Sequence, residues 1–289
     1  MRLVNLITKK SLSRSFGGTM ALLIFILLVA AFMLFPMVLV IGNSFKPLNE
    51  LWLFPPRLFP IKPTVNNYLD LFNLVGDSLV PITRYLFNTV FITVVGTVLH
   101  IIFSSMCAFS LAKGKFRGRE IVFKIIVFSL MFSAAVTAIP SYLIMVKLGW
   151  IDSLAAIIVP AIGSPLGLYL MKQFMETSIP DQIIEAAKVD GASVFTIFRR
   201  IVMPNTKPAW MTLMLFSVQT LWNLGASTYI FSEENKTLVY ALSQIAAGGI
   251  SRTGVAAATT VVIMLVPITI FIISQSNIME TMASSGMKD

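Results

Sequence analysis

The chain has 289 residues, of which 56% are hydrophobic and 12% charged, and its mean hydropathy is +0.85. Soluble domains carry roughly 25% charged residues, so these charges are too few to cover a soluble surface, and the apolar excess must face lipid or other spans. The formal charge of +9 does not point to nucleic acid, because the cytoplasmic loops of membrane proteins concentrate Lys and Arg. One cysteine, Cys107, excludes an internal disulfide and a multi-cysteine metal site, and one histidine, His100, argues against a His-based metal site or a Ser-His-Asp triad. His100 reads as a polar contact inside a bundle.

In chain order, six stretches are apolar and long enough, at about 20 residues each, to cross a bilayer. They cover residues 20–42, 85–112, 121–146, 153–175, 208–231 and 253–275. The expected fold is an all-α polytopic bundle forming a single transmembrane domain. The first stretch is too long for a signal-peptide core and is followed by no small-residue cleavage site, so it is a retained span. Pro160, Gly163, Pro165 and Gly167 predict a kink in the fourth.

Orientation follows from the basic residues. One set of segments holds Arg2, Lys9, Lys10 and Arg14, then Lys113, Lys115, Arg117, Arg119 and Lys124, then Lys172, Lys188, Arg199, Arg200 and Lys207, and finally Lys288. That makes 15 basic residues against 7 in the intervening segments, which predicts both termini in the cytoplasm. The outside segments are then 43–84 and 232–252. The first is stiffened by Pro55, Pro56, Pro60 and Pro63, which preclude regular helix through that stretch. The second carries a flexible tip at Ala246, Ala247, Gly248 and Gly249.

The longest inside segment, Lys172 to Lys207, predicts two short helices over 176–207. Ser178, Pro180 and Asp181 mark a helix start, and Gly191 marks its stop. Ile183, Ile184 and Ala187 are expected on one side by their three- and four-residue spacing, with Ala186 keeping that surface low. Ser193 caps a second helix, in which Val194, Ile197, Phe198, Ile201 and Val202 follow the amphipathic template. Arg199 and Arg200 fall on its other face, and Pro204 and Pro208 end it. Periodicity alone leaves two readings open: a docking element for a partner, or a surface element packed under its own bundle.

The residues in this loop go further than periodicity. Glu185-Ala186-Ala187, three residues, Gly191, nine residues, then Ile201-Val202-Met203-Pro204 resembles the cytoplasmic signature of binding-protein-dependent ABC importer permeases. Met203 replaces the usual Leu, a swap of similar volume. Phe54-Pro55-Pro56 with Asn67-Tyr68, Asn88-Thr89, Ile139-Pro140, Val189 to Ser193, Trp222-Asn223 and the tail Gly286-Met287-Lys288 are similar to the maltose-type carbohydrate branch.

The resemblance implies a non-catalytic permease in a bacterial cytoplasmic membrane. Its partners would be a second permease, two ABC ATPase subunits, an extracytoplasmic sugar-binding protein, membrane lipid and an oligosaccharide, with no nucleic acid. ATP and Mg would sit on the ATPases, since this chain has no P-loop motif. Glu185, Ala186, Ala187, Asp190, Gly191 and Pro204 would couple to an ATPase: Glu185 as a charged anchor, the alanines allowing close approach, Gly191 making the turn. The tail at Gly286 to Lys288 would reach the ATPase pair.

Asn88, Gln219, Trp222 and Asn223 are candidates for the translocation path, the alternative being contacts between helices. Ala247, Gly248 and Gly249 are candidates for contact with the binding protein, the alternative being an ordinary connector. The competing class is an ion-gradient-driven secondary transporter, which would call for charged residues near the midplane. An intramembrane enzyme would need paired acids or a histidine dyad, and neither is present.

Overall fold

The computed structural model describes residues 16–76, 80–225 and 227–285, with side chains over 17–275; the tail at Gly286 to Lys288 lies outside the described residues. Among the described residues the chain is helical with no strand, as backbone must be where no water can satisfy a free N–H or C=O. The helices are α1 (Phe16–Ser44), α2 (Asn66–Gly76), α3 (Ile82–Lys113), α4 (Arg119–Ser129), α5 (Ala134–Lys147), α6 (Ala155–Ile162), α7 (Pro165–Ser178) and α8 (Asp181–Val189). After a further helical segment come α10 (Lys207–Trp222), α11 (Leu238–Ala246) and α12 (Thr253–Ser285). That segment, α9, is composite: α-helical over Val194–Ile197, π-helical over Phe198–Val202, and α-helical again over Met203–Asn205.

Helix α3 is the axis of the bundle. Its 32 residues span about 48 Å, well beyond a hydrocarbon core of about 30 Å. It packs against α6, α7 and α10, while α12 packs against α1, α2, α10 and α11. Small residues bring these helices close. A Cβ on Gly96 would run into the Leu221 side chain, and one on Gly167 would run into His100 and Leu213. Ile92, Ile157, Ile158, Leu221 and Ile230 fill the middle of the bundle.

Four helices are each long and apolar enough to cross a membrane, five if one bent pair counts as a span. Two of the six expected spans therefore differ. Residues 121–146 are not one helix: α4 and α5 meet at 108°. Leu130, Met131 and Phe132 donate to carbonyls three residues back, and Ser133 is extended at φ −72°, ψ 151°. The turn is built from apolar residues, so hydropathy cannot detect it. Residues 208–231 are helical only to Trp222; at 16 residues, α10 is about 24 Å long. The expected kink in the fourth span lies at Gly163 and Ser164, where the helix pauses before resuming at Pro165.

At the end of the bundle where α3 begins, the connections are folded. Helix α2 occupies the stretch after Pro63. The Asn67 amide donates to the Ser44 and Lys46 carbonyls, both at 2.8 Å, closing off the C-terminus of α1. The Glu50 carboxylate accepts the Ile61 and Lys62 amides, both at 2.9 Å. Leu71, Val75, Tyr85, Leu238, Leu242 and Val255 knit α2, α3, α11 and α12 into one apolar platform.

A second tie joins the two remaining connections. Asp152, held at φ 61°, accepts the Phe231 and Ser232 amides and the Ser232 hydroxyl, each at 3.0 Å. The Ser232 amide leads in holding its carboxyl below the ordinary value, joined by the Phe231 amide and the side chains of Ser232 and Asn235.

Asn88 pins the same segment to α3. Its buried amide donates to the Glu234 carbonyl at 2.7 Å and the Lys236 carbonyl at 3.0 Å. Next to it, the Thr89 hydroxyl accepts the Leu238 amide at 2.7 Å. Replacing Asn88 by Leu leaves the Lys236 carbonyl without a donor and the Glu234 carbonyl with only the Arg84 guanidinium at 3.2 Å, at a cost of about 1–3 kcal/mol. Thermal unfolding of the purified protein should show a lower Tm for Asn88→Leu; an unchanged Tm would mean that this tie does not hold the segment.

Candidate functional site

At the basic end of the bundle, where α3 stops at Lys113, residues 179–206 form a helix pair. Ser178 does not start it: that residue is the last of α7, and Ile179 and Pro180 are an extended link. Helix α8 starts at Asp181, one residue past the proline, which cannot sit deeper in a helix. Asp181 is held by an ion pair to Lys113 at 2.7 Å. The Lys113 ammonium, by hydrogen bond and by charge, with Lys115 and Arg119 adding to it, lowers the Asp181 carboxyl below its ordinary value.

The turn after α8 is a Schellman motif. The Gly191 amide donates to the Lys188 carbonyl at 3.0 Å, and the Ala192 amide to the Ala187 carbonyl at 2.9 Å. Gly191 has φ 78°, a left-handed conformation that costs a residue with a Cβ about 1–2 kcal/mol. Ser193 then caps α9, its hydroxyl accepting the Thr196 amide at 3.2 Å. The π-helical turn ahead of Pro204 has a steric reason. The proline ring would clash with the carbonyl four residues back, and a wider turn moves that carbonyl away.

The pair has an inner and an outer side. Ile184, Ile197 and Val202 are wedged between the ends of α3, α7 and α10, against Ala108, Ala112, Met171, Met175 and Leu213. Ala187 and Ile201 are partly buried behind them. The expected single side of Ile183, Ile184 and Ala187 is split. Ile184 is 5% exposed, whereas Ile183 points outward at 46%, because consecutive residues lie 100° apart on a helix. Val194, expected on the buried stripe, is likewise exposed. In the first turn of α9 it precedes the wedge.

The outer side carries Glu185, Ala186, Lys188, Asp190 and Gly191, all exposed. Around them Ile183, Val189, Val194 and Phe195 leave large apolar surfaces uncovered; Val189 is 87% exposed. Pro204 is also exposed, at the far end of α9. The surface thus places two carboxylates, one ammonium and two small residues among bare apolar side chains. Among the described residues, no three His, Cys, Asp or Glu side chains lie together as a metal site would require.

The other sequence candidates are not brought to one place. Asn88 is wholly buried in the tie described above. Trp222 is 5% exposed, and its indole N–H donates to the Ile263 carbonyl at 3.1 Å. Gln219 and Asn223 are exposed on α10, where the Asn223 side chain donates to the Gln219 carbonyl at 2.9 Å. With Phe216 and Thr220, also exposed, they form a single stripe by three- and four-residue spacing. Behind it, His100 Nδ1 meets the Ser217 hydroxyl at 2.6 Å, joining α3 to α10. Ala247, Gly248 and Gly249 form an exposed turn between α11 and α12 at the opposite end, with Gly249 at φ 91°.

Sequence reasoning named Lys113 and Thr89 but missed the ties they make, and it did not single out Asp152. Their partners lie 68, 149 and 80 residues away, and no local pattern links residues at such distances.

The Lys113–Asp181 tie gives a pH expectation. The Asp181 carboxylate is stabilised in the folded state, so its contribution is present above the unfolded value of about 3.9 and is lost as pH falls through the lower folded value. Protease cleavage within residues 179–193 should therefore be slow at neutral pH and quicken in strong acid. Asp181→Asn should make it faster at neutral pH too; equal rates for both proteins would count against the tie.

Residues 100–282 match the family described as binding-protein-dependent transport system inner membrane component. Among curated relatives, the arabinooligosaccharides transport system permease protein AraQ of Bacillus subtilis is 30% identical over 273 residues, covering 93% of this chain and 95% of that protein. Protein LplC of the same organism is 32% identical over 219 residues, covering 75% and 72%. Among solved structures, a bacterial ABC transporter involved in the import of the acidic polysaccharide alginate superposes with a TM-score of 0.77 at 27% identity, covering 90% of this chain and 95% of that one. The match covers well over half of the chain and includes the C-terminal part of α3, the wedge and the Glu185 surface: this protein belongs to the family of binding-protein-dependent ABC importer permeases.

Proposed function

We propose that this chain is one of two permeases of an importer that takes up an oligosaccharide, and that its 179–206 helix pair is where ATPase subunits drive it. The observation that carries the reading is the two-sided helix pair. Its outer surface offers Glu185 amid uncovered apolar residues, and its inner surface is wedged into three helices. A partner that grips Glu185, Ala186 and the exposed Ile183, Val189 and Phe195 would move Ile184, Ile197 and Val202 with them. Closely packed interiors transmit such a displacement because they deform little. The ends of α3, α7 and α10 would then swing as bodies, opening the path to one side of the membrane and closing it on the other.

The remaining roles follow from position. Ala186 lets the partner approach closely, while Ala187 supplies the carbonyl that locks the Gly191 turn. Asp190 lies exposed beside that turn, and Pro204 shapes the last turn of α9, just ahead of the break at Thr206 that separates it from α10. In a span, an exposed stripe of uncharged polar residues needs water, a partner or cargo. Gln219, Thr220 and Asn223 suit the hydroxyls of a neutral sugar, with Phe216 as an apolar face. Asn88 and Trp222 serve as ties in the walls. The Ala247–Gly249 turn would meet the extracytoplasmic binding protein, with the basic end and both termini in the cytoplasm. ATP and Mg belong to the ATPases.

The oligosaccharide class rests on the relatives, whose names include transport of arabinooligosaccharides, of polygalacturonan and rhamnogalacturonan, and of melibiose, raffinose and stachyose.

Two substitutions test the coupling. Glu185→Lys puts a like charge where a buried ion pair would form, and breaking such a pair costs on the order of 3–5 kcal/mol. Gly191→Val strains the turn that presents it. In proteoliposomes holding the assembled importer, each should lower ATP hydrolysis stimulated by the loaded binding protein by roughly tenfold or more. Assembly and insertion should be retained. Full stimulation in a correctly assembled Glu185→Lys complex would overturn the coupling role.

A further inference from the structure

A groove on the flank of the bundle runs from the basic end up between α3 and α4. Helix α4 leans away from α3 and onto α7: Phe123 stacks on Tyr169 with ring centroids 6.0 Å apart, and the Lys172 ammonium lies 3.9 Å from the Phe123 ring centre. This tilt leaves an open apolar channel of about 430 Å³ along Phe103, Met106, Cys107, Val122 and Ile126. At its lower end Ser110 and Phe116 also line a second cleft, of about 290 Å³, walled by Lys113, Lys115 and Lys188. The two share Ser110 and Phe116 in their linings and so adjoin, the one apolar along the span and the other cationic at the membrane edge.

The charges at the lower end are unbalanced. Lys113 is engaged by Asp181, and the Arg119 guanidinium reaches back to the Ala112 and Gly114 carbonyls. Lys115 and Lys188 are exposed and form no ion pair among the described residues. We propose that this groove is a binding site for an anionic glycerophospholipid, with the phosphate between Lys115 and Lys188 and an acyl chain lying along Cys107 and Ile126.

Only a lipid joins the two chemistries in one molecule. A free phosphate would leave the apolar channel bare, and an acidic peptide would not follow it into the hydrocarbon layer. Basic clefts at membrane edges favour such headgroups by charge. The position has a consequence. Lys188 is on α8, three residues from Glu185, while Ile184 and Ile197 form the floor of the cleft. A headgroup seated there would brace the helix pair against α3 and the Lys113–Arg119 turn, so bilayer composition would bear directly on the element that couples the chain to its partner.

Cys107 is exposed in the channel and reports on its occupancy. The assembled importer would be placed in nanodiscs of phosphatidylcholine alone, or with phosphatidylglycerol added, and alkylation of Cys107 by a membrane-soluble maleimide followed by peptide mass spectrometry. Phosphatidylglycerol should slow alkylation several-fold, up to about thirtyfold for two lysines. Lys115→Gln/Lys188→Gln should abolish that difference, and soluble glycerol phosphate should not reproduce it. Equal alkylation in both lipids, slow or fast, would overturn the proposal, as would protection that survives the double substitution. Equal and slow rates would mean that another subunit covers the groove. The readout involves neither ATP hydrolysis nor transport, so its failure is separate from failure of the coupling role.

Discussion

The burial of Ile184, Ile197 and Val202 against the ends of α3, α7 and α10 is the interaction on which the rest of this protein turns. A span is held by its own backbone hydrogen bonds and by lipid. A short polar-faced loop has neither, and helices of nine residues or fewer are marginal alone in water. These three side chains convert such a loop into part of the bundle. Each fully buried aliphatic side chain contributes about 1.5–3 kcal/mol, enough to keep two short helices in place. The surface presented by Glu185 is then carried on the frame of the spans.

Around that wedge, polar contacts do what apolar packing cannot. Lys113 and Asp181 fix the entry to α8, and the Schellman turn at Gly191 fixes its exit. At the other end Asn88, Thr89 and Asp152 bind the connection before α11 to α3 and to the loop before α6. Both ends of α3 are therefore fastened to loops distant in sequence. The open features lie elsewhere: the stripe at Gln219 and Asn223, the turn at Ala247 to Gly249, the outer side of α8, and the groove beside Cys107.

The pieces legible in the sequence were those with a local cause. Long apolar runs read as spans, Ser193 as a cap, and Gly191 as a stop, because each expresses chemistry within a few residues. The spaced signature from Glu185 to Pro204 carried the family resemblance, because its residues stand at fixed separations along one segment. The errors came where the cause was not local. Ser178 had the look of a cap, but α7 continues through it. The bend between α4 and α5 is made of Leu, Met and Phe, which hydropathy counts as span.

By itself, then, the sequence determined that the chain is helical and membrane-embedded, and which loop carries the family signature. Those follow from composition and from spacing along one helix. Only the tertiary structure decided which face of that loop is spoken for. Ile183 and Ile184 are chemically alike and adjacent, and nothing local distinguishes them; the ends of α3, α7 and α10 do, by offering a pocket to one and leaving the other bare. It likewise moved Asn88 and Trp222 from candidate path to structural tie, since the carbonyls of Glu234, Lys236 and Ile263 that they bind come within reach only once the chain has folded.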